Sequence, residues 1–238
     1  MPVYQLIDEA IFPPVEDAEE GGLLAVGGDL SPERLFAAYR EGIFPWYGEG
    51  EPILWWSPDP RFVLFVEELH ISRSMRQFLK KEMLQITFDS AFQEVIHSCS
   101  KPRPGQNGTW ITAEMQEAYV HLHRLGFAHS VEVRKERELV GGLYGVSLGR
   151  IFFGESMFSQ LPNASKAALI KLHSFLRKRD FTLIDCQIGS HHLGTLGARF
   201  IAREEFSGIL KSSLQYETLR GDWGELQTHD NKNLQAGL

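Results

Sequence analysis

Asp185 and Gln187 stand two residues apart at the end of an apolar run, Phe181 to Gln187, that reads as a strand. Alternation along a strand puts both on one face, where a carboxylate can orient an amide or attract a cation. The same pair also suits an ordinary strand end, with Asp and Gln capping a turn. Cys186, between them, points to the opposite face and reads as core. Glu155 lies within Phe152-Phe153-Gly154-Glu155-Ser156-Met157. A charge in so apolar a stretch is costly to bury unless it is paired or opens on a cleft, so Glu155 either lines a cleft or is an exposed rim charge. Arg73, Arg76 and Lys80, with Lys81 beside them, fall at i, i+3 and i+7 of one helix. That spacing makes a basic stripe able to meet phosphates, or simply a solvated face. His191 and His192 are adjacent and share no face, and Cys99 and Cys186 form no C-x-x-C pair, so no metal site is expected.

Regular elements must hold these groups in place. Ser31 and Pro32 open a helix that Gly42 closes. A second helix runs from a Ser72 cap to Lys81, a third from a capping box at Ser90 to about Cys99, and a fourth from Thr112 to Gly126. Ala164 to Arg179 has the 3.6-residue apolar period of a long amphipathic helix. Residues 21–29 read as loop, short apolar strand, loop; further strands are expected at 62–66, 84–88, 130–134, 139–146, 150–158 and 181–187, and Lys101 to Gly108 reads as a Pro/Gly loop. Two aromatic clusters, Ile43 to Tyr47 and Ile53 to Trp56, read as a folded loop region between prolines and glycines. Three strands, a helix and a strand in the second half describe an α+β fold with a mixed sheet. The division expected is a small unit over 1–61, a catalytic unit over 62–222 and a flexible polar tail over 223–238.

The chain has 238 residues, 43% of them apolar and 23% charged, which suits a globular protein. No apolar run reaches the roughly 18 residues of a membrane span, and the first residues lack the pattern of a secretory signal. The separated cysteines fit a reducing cytoplasm. A net charge of −7 means that any RNA must be met by a local basic patch.

Seven segments resemble those of the leucyl/phenylalanyl-tRNA–protein transferase family, in family order: Gly27-Gly28-Asp29-Leu30-Ser31, Gly42-Ile43-Phe44-Pro45-Trp46, Ile53 to Arg61, Leu69-His70-Ile71-Ser72-Arg73-Ser74, Gly108-Thr109-Trp110-Ile111-Thr112, Gly154 to Ser159 and Ile184-Asp185-Cys186-Gln187. The resemblance implies a small N-terminal domain and a larger acetyltransferase-like (GNAT) domain, its sheet mostly antiparallel and flanked by helices. It implies transfer of Leu or Phe, and less readily Met, from aminoacyl-tRNA to proteins beginning with Lys or Arg, creating a degradation signal. No cofactor is implied, since ester to amide runs downhill. A monomer is expected.

By the same resemblance Asp185, Gln187 and Glu155 belong to the catalytic centre, acting chemically or by positioning. Leu143, Phe152, Leu169, Leu172 and Ile184 would line the aminoacyl pocket, with Leu143 standing where Met is expected and Leu172 where Phe is. Trp46, Trp110, Tyr39 and Tyr119 would meet the 3′-terminal adenosine, with Ser190 in place of an expected Asn. Arg73, Arg76, Lys80 and Lys81 would meet the acceptor stem. An acyl-CoA transferase of the same fold would want a Gly/Arg-rich loop leading into a helix, and no such loop is visible. A non-catalytic adaptor for basic N-termini is the other reading, using Asp185 and Glu155.

Overall fold

In the computed structural model, which describes residues 3–81, 84–102 and 109–228, the first sixty residues build a small four-stranded sheet. Its strands are β1 (Tyr4–Gln5), β2 (Leu23–Val26), β3 (Phe44–Pro45) and β4 (Leu54–Trp56), ordered β1-β2-β4-β3. The aromatic clusters expected as loop thus contain paired strands, kept short by the prolines and glycines around them. Helix α1 (Pro32–Arg40) begins as its sequence dictates, with the Arg34 amide donating to Ser31 Oγ at 3.3 Å. It ends at Gly42, whose φ of +73° and close approach to the Phe206 ring leave no room for a side chain.

The second sheet has seven strands: β5 (Arg61–Phe65), β6 (Gln85–Phe88), β7 (Ala128–Lys135), β8 (Glu138–Leu148), β9 (Ile151–Ser159), β10 (Leu183–Gln187) and β11 (Arg199–Ile201). Their order is β11-β5-β10-β9-β8-β7-β6. Only β9 and β10 run parallel; the other neighbours are antiparallel, so the expected mixed, mostly antiparallel α+β architecture is what forms. The helices between the strands are α2 (Arg73–Lys81), α3 (Phe92–Cys99), α4 (Ala113–Arg124), α5 (Ala164–Arg177), α6 (His191–Gly194) and α7 (Arg203–Ser213).

Strand alternation divides the buried side chains between two cores, one on each face of this sheet. Tyr144, Phe153 and Leu183 pack with α1, α3 and α4, whereas their neighbours Leu143, Phe152 and Ile184 pack with α5. The parallel pair parts early. Its last paired residues are Phe153 and Asp185, after which β9 runs on beside β8 alone. Two irregularities mark this place: a register shift between Tyr144 and Gly145, and a left-handed Gln187 with φ 63°. A Cβ on Gly145 would lie 2.1 Å from the Phe153 carbonyl oxygen, so only glycine allows the shift.

Three local expectations are corrected. Helix α3 is not capped by Ser90; its N-cap is Ala91, and the Ser90 hydroxyl instead serves Thr87 and the buried Glu132. Strand β11 and helix α7 are additions to the expected elements, because three residues are too few to show alternation and α7 buries only a narrow stripe of Phe206, Leu210 and Ser213. The expected polar tail begins with a fully buried residue. Trp223 stacks on His129 at 3.8 Å between ring centroids and opens a helical turn over 223–228. Residues 229–238 of that tail, and 103–108 of the expected Pro/Gly loop, lie outside the described residues.

Candidate active site

Where β9 and β10 part, the sheet opens into a cavity of about 230 Å³. Leu143, Phe152, Leu169, Leu172 and Ile184 wall it on the α5 side, making it greasy and wide. Glu155 enters from the other face, and Trp110, Ser190 and Ile188 stand at its more exposed end. Cys186 also lines it. Burial, then the nearby Asp185, push this thiol far above its ordinary pKa, so it stays protonated and is no nucleophile.

Glu155 is buried among hydrogen-bond donors. Its Oε1 accepts from the Tyr39 hydroxyl at 2.7 Å and the Gln187 amide at 2.9 Å, and its Oε2 accepts from the Tyr119 hydroxyl at 2.9 Å. The two tyrosine oxygens are themselves 2.5 Å apart. Two hydroxyl protons can fill only two of these three tyrosine contacts. The third is filled when Glu155 carries a proton of its own. Burial, outweighing its three donors and aided by Asp185, raises the Glu155 pKa to about 7, in keeping with that count. The site therefore holds a carboxyl group that exchanges its proton near neutrality.

Asp185 has a different setting. It is fully buried and gripped by Arg61, whose Nε and Nη2 donate to its two oxygens at 2.9 and 2.7 Å. The guanidinium in turn lies between the Phe44 and Phe206 rings, 4.8 and 4.7 Å from their centroids. Asp185 Oδ1 also accepts the Gln187 backbone N–H at 3.0 Å, which fixes the left-handed turn that aims the Gln187 side chain at Glu155.

The profile of the leucyl/phenylalanyl-tRNA protein transferase family matches residues 63–211, and that of its N-terminal domain matches residues 28–59. A leucyl/phenylalanyl-tRNA–protein transferase of Syntrophus aciditrophicus is 63% identical over 94% of both chains. The chain belongs to this transferase family. One from Pseudomonas entomophila is 59% identical over 87% of this chain and 92% of its own, and one from Flavobacterium johnsoniae 57% identical over 88% and 100%.

For a leucyl/phenylalanyl-tRNA–protein transferase, the residues expected in the site fall into three groups here. Glu155, Trp110, Ser190 and all five expected pocket residues meet around one cavity. Arg73, Arg76, Lys80 and Lys81 are exposed along α2. Gln187 joins the first group through its hydrogen bond to Glu155, and the remaining four are corrected. Tyr39 and Tyr119 are wholly buried, so neither ring can stack on a base; their hydroxyls hold Glu155 instead. Trp46, 40% exposed, packs edge-on against Trp56 and does not line the cavity. Asp185 does not line it either, and Arg61 already answers its charge, so it cannot receive an incoming cation. In the sequence Arg61 stands out only as part of a motif. An arginine opening an apolar strand is the available sign that a buried acid awaits it. Among the described residues no group of His, Cys, Asp or Glu could hold a metal ion, and no helix is long and apolar enough to cross a membrane.

Proposed function

We propose that this protein transfers Leu or Phe, and less readily Met, from aminoacyl-tRNA to the N-terminus of proteins beginning with Lys or Arg, marking them for degradation. The observation that carries this reading is the cavity in which an apolar wall meets Glu155. The wall takes the donor's side chain and, lacking any group that must be hydrogen-bonded, tolerates several apolar shapes. A methylene more or less in such a pocket is worth only about 1–3 kcal/mol. The Leu143 and Leu172 positions keep it apolar.

The acceptor amine attacks the ester carbonyl carbon, the bond to the ribose oxygen breaks, and that oxygen leaves with a proton. A free α-amine titrates at about 7.7–8.0, so only a weak acceptor is needed. Glu155 holds such a site at neutrality, able to take the proton from the amine and return it towards the ribose oxygen. Gln187 orients that carboxyl group from one side and the two tyrosines from the other. Asp185 is a positioning residue, setting the turn that carries Gln187. In this reading Trp110 and Ser190, on the exposed side of the cavity, receive the terminal adenosine, and the α2 stripe the acceptor stem. A monomeric, cytoplasmic protein with an acetyltransferase-like large domain completes the reading. Against acyl-CoA as donor, the link from β9 to α5, Gln160-Leu161-Pro162-Asn163, has neither Gly nor Arg to cradle a pyrophosphate.

The test supplies labelled leucyl-tRNA and an Arg-starting peptide. Label should move to the peptide and be abolished by ribonuclease treatment of the donor. Peptide binding without transfer would leave an adaptor, and labelling from an acyl-CoA would overturn the tRNA reading.

A further inference from the structure

A second groove, of about 540 Å³, continues from the cavity and shares Met157 and Ser190 with it. Its remaining lining sets Lys101, Ser98, Ser159, Gln160, Ser165 and His192 beside the apolar Pro102 and Phe158, and among the described residues includes no carboxylate. A smaller cleft of about 140 Å³, lined by Lys166, Asn163, Thr195, Ser72 and Ser74, shares no residue with the groove but adjoins it in sequence at Ser165 and Lys166. The two spaces are tied together by α6: Thr195 donates to the His192 carbonyl at 2.7 Å and accepts from Lys166 Nζ at 3.3 Å. The cleft ends at the start of α2, where Arg73 and Arg76 begin the basic stripe. Burial and the neighbouring Lys166 lower the His192 pKa, and the basic side chains besides it among the described lining residues are the two lysines.

Resting on the reading above, we propose that this path carries the single-stranded 3′ end of the donor tRNA, with Lys101 and Lys166 meeting its phosphates between the ester and the acceptor stem. The other ligand of the reaction, a peptide with a cationic first side chain, would find two lysines and, among the described lining residues, no acid. A phosphodiester strand would find lysines, hydroxyls and an amide, the donors that phosphate oxygens accept from. The path also has the required ends, opening at one into the aminoacyl cavity and at the other onto α2. It follows that the acceptor peptide reaches Glu155 from elsewhere.

Lys101→Ala, Lys166→Ala and the double variant test this with two donors, whole leucyl-tRNA and 3′-leucyl-adenosine, which has no phosphate. Each substitution should raise the ratio of KM for the whole donor to KM for the short one. Each should also reduce the slope of log affinity for whole tRNA against log salt by about 0.7, the share of one single-strand phosphate. An unchanged ratio and slope would overturn the proposal, as would a rise in KM for the peptide in place of the tRNA. Wild-type protein inert with both donors would instead sink the transferase reading itself, and the two failures are therefore distinct.

Discussion

Glu155 and Asp185 are both buried carboxyl groups on one face of one sheet, and their partners give them opposite characters. Asp185 is paired with a guanidinium, whereas the side chains bonded to Glu155 are all neutral donors. Removing one partner of a buried ion pair leaves the other uncompensated, at a cost of about 3–5 kcal/mol, whereas replacing both by apolar groups can be neutral. Asp185→Ala should therefore destabilise the fold as well as lower transfer. The double variant Arg61→Met/Asp185→Leu should recover its urea midpoint. Transfer that returned with stability would reduce the pair to scaffold. For Glu155 the sign runs the other way from a usual carboxylate. Its pKa rises from 4.5 to about 7 on folding, so its contribution is fully present below about pH 4.5 and is lost as pH climbs through about 7. A shift of that size corresponds to about 3 kcal/mol. Glu155→Gln should flatten the fall in stability between about pH 5 and about pH 8, measured by urea unfolding at each pH. An unaltered profile would mean that Glu155 is already ionised at pH 5.

At the scale of elements, Trp223 pins the end of the described chain. Its ring sits among Phe88, Phe152, Phe175 and Phe181 and stacks on His129, while its backbone N–H donates to the buried Asp89 at 2.8 Å. Trp223→Ala should cost about 3–5 kcal/mol, read as a lowered denaturation midpoint. A change under about 1 kcal/mol would mean that the helical turn is only loosely docked. The same residue shows where sequence reading stops. A lone Trp before a polar stretch carries no period, so nothing local says that it is core. The large strands are readable because alternation and length speak for themselves, whereas Leu143, Phe152 and Ile184 are expected on one wall by family resemblance, with which their common face agrees. Tyr39 and Tyr119 cannot be resolved the same way, since a ring on an apolar helix face suits base stacking and core alike. The Arg61 pairing spans 124 positions, so the arginine that opens an apolar strand hints at a buried acid without saying which one. The β9–β10 opening depends on a glycine shift and a left-handed glutamine, neither visible as a pattern.

Considered as a whole, the molecule is an acidic body with a net charge of −7 and a basic lane running from the cavity to α2. Bulk attraction cannot hold RNA to such a body, so affinity must come from that lane and vary steeply with salt. Charge reversal at Arg76 and Lys80 should weaken tRNA binding and shrink the log–log salt slope by about 0.9 for each duplex phosphate no longer neutralised. A slope equal to that of the wild type would return the stripe to ordinary surface.

The Tyr39 hydroxyl comes from α1, within the small N-terminal unit, yet it ends on a carboxyl group of the large sheet. The pocket is therefore not portable. A fragment starting at β5 would keep every apolar wall residue and still lack one of the two phenols that hold its acid, and a graft onto another sheet would inherit the same defect. Whoever wishes to re-engineer the donor preference must transplant α1 along with the strands.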